Sequence, residues 1–109
     1  MVQLLPADLA SWLADDSRSK PVLIDVREPW EFERCNIDES LPMPMAMATV
    51  PQRLQELDPQ AETVLICHHG ARSFQVGMFL EQRGFGRLYN LQGGVDAWAR
   101  TVDPAMATY

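Results

Sequence analysis

Within seven residues, Cys67-His68-His69-Gly70-Ala71-Arg72-Ser73 gathers a nucleophile, two imidazoles, a glycine and a fixed cation. The apolar, β-branched run Thr63-Val64-Leu65-Ile66 precedes it and reads as a buried strand. An apolar-periodic helix from about Ala71 to Arg83 follows it. A strand that passes through a tight loop into a helix turns the loop's N–H groups, and the positive end of the helix dipole, toward whatever the loop holds. Here that occupant is the thiol of Cys67, and such surroundings favour the thiolate, the nucleophilic form of cysteine. Gly70 gives the backbone freedom that an inward-folded loop needs, and the small Ala71 suits the same crowding. Arg72 reads as a charge that binds an anion or steadies the thiolate, rather than as a solvated surface group. Ser73 falls in the first helical turn, where its hydroxyl either caps the helix or donates to a bound sulfur. The chemistry indicated is attack by Cys67 on an anionic sulfur substrate.

Other residue clusters are open to reactive readings and are better explained by bland ones. His68 and His69 beside Cys67 suggest a metal site, but adjacent residues rarely converge on one ion and no further ligand cluster is visible. They read as the rim of the loop, gaining charge as pH falls toward about 6.5. Cys35 lies between a short helix and a loop and reads as structural rather than as a resolving thiol. Met43, Met45 and Met47 alternate as the core face of an extended segment would. Asp25, Arg27 and Glu28 close a strand and read as a scaffold ion pair near the sheet end rather than as an acid pair.

The elements that must position Cys67 alternate along the chain. Val2 to Leu5 is a short strand suited to an edge, and Pro6 opens a helix carrying Leu9, Trp12 and Leu13. A strand spans Pro21 to Val26, and Pro29 starts a short helix through about Arg34. Leu41 to Met45 is extended, but Pro42 and Pro44 lack donors and place it at an edge. Thr49 and Pro51 start a helix to Leu57, which Asp58-Pro59 ends. After the Cys67 strand and helix, Gly84 is a helix stop. The last strand is Arg87 to Leu91, and Gly93-Gly94 turns it into a helix with Val95, Trp98 and Ala99. The stretch from Thr101 to Tyr109 has no clear period. Strands alternating with helices predict an α/β sandwich with a mostly parallel sheet covered on both faces. Ligands in such folds sit at the carboxyl ends of strands, where Cys67, Asp25 and Gly93-Gly94 all fall.

The totals narrow the function. One domain, residues 1–109, is the expected organisation of 109 residues. A net charge of −6 with a single lysine, Lys20, argues against a nucleic-acid partner, because no basic stripe exists to displace counterions. No apolar run approaches the roughly 20 residues of a membrane span, and no signal peptide is evident. Two distant cysteines suit a reducing cytoplasm and free thiols.

Taken together, these residues resemble the rhodanese (thiosulfate sulfurtransferase) family in its small single-domain form. Leu23-Ile24-Asp25-Val26-Arg27-Glu28 with Glu31-Phe32 is similar to the family's first signature, and Cys67 to Ser73 to its active-site loop. Leu91-Gln92-Gly93-Gly94 with Trp98 resembles its closing strand, turn and helix. The resemblance implies a three-layer sandwich on a five-stranded sheet. It implies a persulfide on Cys67, an amide cradle from His68, His69, Gly70, Ala71, Arg72 and Ser73, and Asp25 with Arg27 as scaffold. It implies a small anionic sulfur donor such as thiosulfate, a thiol or cyanide acceptor (a thiol protein included), and neither cofactor nor metal. One region departs: the family's Gly-His-Ile-Pro-Gly-Ala turn is here Cys35-Asn36-Ile37-Asp38-Glu39-Ser40, which predicts a different turn conformation. Two rivals remain: a non-enzymatic persulfide carrier or regulatory module, and cysteine phosphatase or arsenate reductase chemistry. The second fits less well, since the four residues between Cys67 and Arg72 are one fewer than those loops use.

Overall fold

Three four-residue strands of mainly aliphatic side chains, Val22–Asp25 (β2), Thr63–Ile66 (β4) and Leu88–Leu91 (β5), form the centre of the molecule. The computed structural model describes residues 1–45 and 50–109, so the expectations for Met47 and for Thr49 lie outside the described residues. Two short strands complete the sheet, Val2–Leu4 (β1) and Leu41–Pro42 (β3). The order is β1-β5-β4-β2-β3, and every pairing is parallel. The proline-limited stretch after Ser40 is therefore an edge strand, as its missing donors require.

Neighbouring residues on each central strand face opposite ways, and each face meets helices. Leu23, Val64, Ile66 and Leu91 pack with Leu9 and Trp12 of α1 (Pro6–Ala14) and with Val95 and Trp98 of α5 (Gly94–Thr101). Ile24, Leu65 and Leu88 pack on the other side with Val50 of α3 (Val50–Arg53) and with Val76 and Leu80 of α4 (Ala71–Glu81). Each fully buried aliphatic side chain stabilises the fold by about 1.5–3 kcal/mol. Strands buried on both faces have no polar side to present, which explains their near-continuous aliphatic runs. Met45 is buried in the α4-side core, with Met43 packed against it.

Helix ends differ from the sequence expectation at two places. α4 stops at Glu81 rather than Arg83, because the chain leaves through Arg83 N–H to Leu80 O and Phe85 N–H to Leu80 O bonds and a left-handed Gly84. The helix expected to reach Leu57 is split: α3 ends at Arg53, and a 3₁₀ turn, Leu54–Glu56, closes on a Leu57 N–H to Leu54 O bond. Pro59 disfavours a helical Asp58, so the helical stretch cannot run on past this point.

Candidate active site

Cys67 directly follows β4 and continues its alternation, falling with Leu65 on the α4 side of the sheet. Its Sγ accepts hydrogen bonds from Gly70 N (3.1 Å), Ser73 N (3.4 Å) and Ser73 Oγ (3.2 Å). Gly70 is the N-cap of α4, so the sulfur lies at the positive end of an 11-residue helix. Gly70 reaches this position at φ 99°, and a side chain there would press on Gly93 N and Leu91 O. The Ser73 hydroxyl has one proton and three acceptors in reach: Sγ, Gly70 O and Asn90 Oδ1. It both contacts the sulfur and ties the loop to β5.

Three of the loop's carbonyls are held by donors from α5, β5 and the first turn of α4. Val95 N donates to Cys67 O (2.9 Å) and Asp96 N to His68 O (3.1 Å), both from the first turn of α5. Asn90 Nδ2 and Phe74 N donate to Gly70 O. These bonds fix the peptides after Cys67, His68 and Gly70, and so the path of the loop that brings Gly70 N and Ser73 N to the sulfur. Gly94 permits this docking: its φ is 61°, and a Cβ there would lie 2.3 Å from Cys67 O and 2.4 Å from His68 O. Gly94→Ala is therefore expected to displace the loop and to cost at least about 1–2 kcal/mol from the left-handed backbone alone. Urea denaturation together with slowed alkylation of Cys67 checks it, and an unaltered alkylation rate would show that α5 does not set the loop.

Arg72 leaves the loop toward α2 (Pro29–Arg34) and pairs with Glu31 through two contacts, Nη1–Oε1 and Nη2–Oε2, each 2.8 Å. Those hydrogen bonds, with others from Tyr109 and the Glu28 N–H, outweigh burial and hold the Glu31 carboxyl at about 2. The Arg72 guanidinium is held more firmly protonated than usual, chiefly by its bonds to Glu31. Glu31 Oε2 also accepts from Tyr109 Oη (2.7 Å), whose own oxygen accepts from Arg27 Nη1 (2.9 Å). Arg27 in turn binds Asp25 through Nε–Oδ1 (2.9 Å) and Nη2–Oδ2 (2.7 Å), with both side chains fully buried. The Tyr109 ring stacks on His68 at 3.9 Å and 9°, and His68 stacks on His69 at 3.9 Å. Burial, with His69 beside it, pushes the His68 imidazole below its usual range. His69 is exposed, with Nδ1 3.8 Å from Asp96 Oδ2.

Loop residues 67–73 are thus gathered at the carboxyl end of β4, with the Asp25–Arg27 pair at the end of the neighbouring β2. Cys35 meets this group only through Arg27, which donates to its carbonyl, and lies away from the reactive sulfur. It packs in the core on the opposite face of the sheet from Cys67, and both cysteines are free thiols. Among the described residues no group of three or more His, Cys, Asp or Glu is placed to hold a metal. The divergent turn at 35–40 reverses without glycine: Glu39 adopts φ 68°, and Ser40 closes onto Ile37 O through both N–H and Oγ. Sequence reasoning did not assign roles at the site to Glu31, Asn90 or Tyr109. Glu31 carried one usable signal, its place three residues after Glu28, which forms the capping box of α2.

The chain matches the model of the Rhodanese-like domain over residues 6–101. It is 40% identical over 86 residues to a sulfurtransferase of Allochromatium vinosum, covering 79% of this chain and 78% of that one. It is 35% identical over 106 residues to the probable adenylyltransferase/sulfurtransferase MoeZ of Mycobacterium tuberculosis, but spans only 26% of that protein's length. The crystal structure of a rhodanese-like domain protein from Staphylococcus aureus superposes with a TM-score of 0.79 at 28% identity, over 100% of this chain and 99% of that one.

Proposed function

The chain belongs to the rhodanese-like domain family of sulfurtransferases, and on that premise we propose that it moves a sulfane sulfur from thiosulfate or a similar small anion to a thiol or cyanide acceptor through a Cys67 persulfide. The observation that carries this reading is the convergence of three hydrogen-bond donors on Cys67 Sγ at a helix N-terminus. Those donors stabilise negative charge first on Sγ and then on a sulfur bonded to it. In the first step the Cys67 thiolate attacks the outer sulfur of thiosulfate. A Cys67–sulfur bond forms, the sulfur–sulfur bond of the donor breaks, and sulfite leaves with its electron pair. In the second step an acceptor thiolate or cyanide attacks the terminal sulfur and expels the Cys67 thiolate.

Cys67 is 1% exposed, which suits a slim donor. Phosphoryl transfer is a poorer fit, because the end-on face of the Arg72 guanidinium and much of its charge are already taken up by the Glu31 carboxylate. Two free cysteines, packed on opposite faces of the sheet, support the reading that the protein works in a reducing compartment, which we take to be the cytoplasm. Among the described residues no helix is long and apolar enough to cross a membrane. Mass spectrometry after incubation with thiosulfate is expected to show one added sulfur on the Cys67 peptide, with sulfite released in equal amount. Cyanide or a thiol should then remove that sulfur. An unmodified Cys67 peptide would overturn the reading. Faster discharge to a protein thiol than to small acceptors would make the chain a sulfur carrier rather than a free-standing enzyme.

A further inference from the structure

Tyr109 touches one end of the Cys67 loop and is linked to the other through Glu31, from a position 36 residues beyond Ser73. Its ring lies flat on His68, the residue after the nucleophile. Its hydroxyl reaches the other end through Glu31, which holds Arg72. The direction of these bonds is determined by their chemistry. A guanidinium has donors only, so the phenol oxygen must accept from Arg27 Nη1, which leaves its one proton for Glu31 Oε2. Burial and the Glu31 carboxylate keep that proton in place, raising the phenol to about 12 against the lowering pull of Arg27. A run of alternating charge results: Asp25, Arg27, the Tyr109 hydroxyl, Glu31, Arg72. It starts at the fully buried end of β2 and finishes at the half-exposed rim of the site. Arg72 is the fixed cation nearest the reactive sulfur in sequence, and the Cys67 thiolate adds to the forces holding it protonated.

We infer that Tyr109 is a positioning residue that braces the loop and sets where the charge of Arg72 stands relative to the Cys67 sulfur. Without the hydroxyl, Glu31 Oε2 loses one of its two donors and Arg27 Nη1 loses an acceptor, so Glu31 is free to swing toward Arg27 and draw away from Arg72. As a statement about donor binding, the inference rests on the sulfur-transfer reading. As a statement about charge placement, it does not, and the experiment separates the two.

Alkylation of Cys67, located by peptide mass spectrometry, is compared for anionic iodoacetate and neutral iodoacetamide. Tyr109→Phe keeps the ring on His68 and removes only the hydroxyl. It is expected to lower the ratio of the iodoacetate rate to the iodoacetamide rate by about three- to fivefold, the scale of one partly exposed charge contact. Arg72→Gln should lower the ratio at least as much, and Tyr109→Phe added to Arg72→Gln should lower it no further, because the two act through one chain. With thiosulfate, Tyr109→Phe should raise KM by a similar factor and leave kcat within about twofold. An unchanged ratio in Tyr109→Phe overturns the brace. So does an equal fall with both reagents, which marks loosened packing, and so does full additivity with Arg72→Gln. If the ratio falls as expected but the wild type forms no persulfide, the brace stands and the sulfur-transfer reading falls.

Discussion

Cys67→Ser is expected to abolish sulfur transfer while leaving the fold in place. The serine oxygen would meet the same donors, Gly70 N, Ser73 N and Ser73 Oγ, so the loop keeps its form. What is lost is chemical. An alcohol is not ionised near neutrality and cannot carry a second sulfur as a persulfide, so both half-reactions fail together. Turnover from thiosulfate to cyanide should drop by at least about 10³-fold, as when a covalent nucleophile is removed from other enzymes. Thiocyanate release measures turnover, and the melting midpoint reports the fold. Cys35 cannot take over, because it packs on the opposite face of the sheet among Leu9, Ile37 and Trp98. Appreciable turnover in the variant would show that sulfur passes through some other group and would remove Cys67 from the mechanism.

Features that depend on near neighbours were legible in the sequence. Aliphatic runs punctuated by Gly, Pro and Asp marked the three central strands, and their alternation with helices gave a parallel sheet, here in the order β1-β5-β4-β2-β3. Cys67, Gly70 and Ser73 fall within seven consecutive residues, so their meeting could be inferred from spacing alone. Contacts made across the fold left no comparable trace. Arg72 is 41 residues from Glu31, and Tyr109 is 78 from the same carboxylate, so no local period announces either bond. Asn90 lies inside a strand whose other members are apolar or aromatic. Its amide is used by Gly70 O, Ser73 Oγ and Gln3 Oε1, groups brought beside it only by the parallel pairing of β1 and β5 and the α4–β5 packing. The turn at residues 35–40 shows a further limit. Loss of its glycines predicted a new conformation but did not identify Glu39 as the residue that takes the left-handed one.

Arg27→Met should be the most destabilising of the single substitutions considered. Arg27 is 1% exposed and its partner Asp25 is equally buried, so neither charge is solvated by water. The guanidinium also donates to Cys35 O (2.6 Å), Glu31 O (3.2 Å) and the Tyr109 hydroxyl. Burial alone would discourage its charge, but the bonds to Asp25 and Tyr109 outweigh that cost and hold it protonated. Methionine fills much of the space and makes none of these bonds, leaving a buried carboxylate and two carbonyls short of donors. Breaking one side of a buried ion pair costs about 3–5 kcal/mol, and for a domain of this size that corresponds to a melting shift of roughly 15–30 °C. The cause can be separated from lost packing with the double variant Asp25→Leu/Arg27→Met, which removes the stranded charge as well. It should recover part of the loss and not all of it, because the Cys35 and Glu31 carbonyls still lack the guanidinium. If the double variant were no more stable than the single, the loss would come from packing and the unpaired carbonyls rather than from a stranded Asp25 charge. A single-variant loss below about 1 kcal/mol, within the range of an exposed pair, would mean that the carboxyl end of β2, and with it the support of Tyr109 over the reactive loop, rests on packing rather than on these two charges.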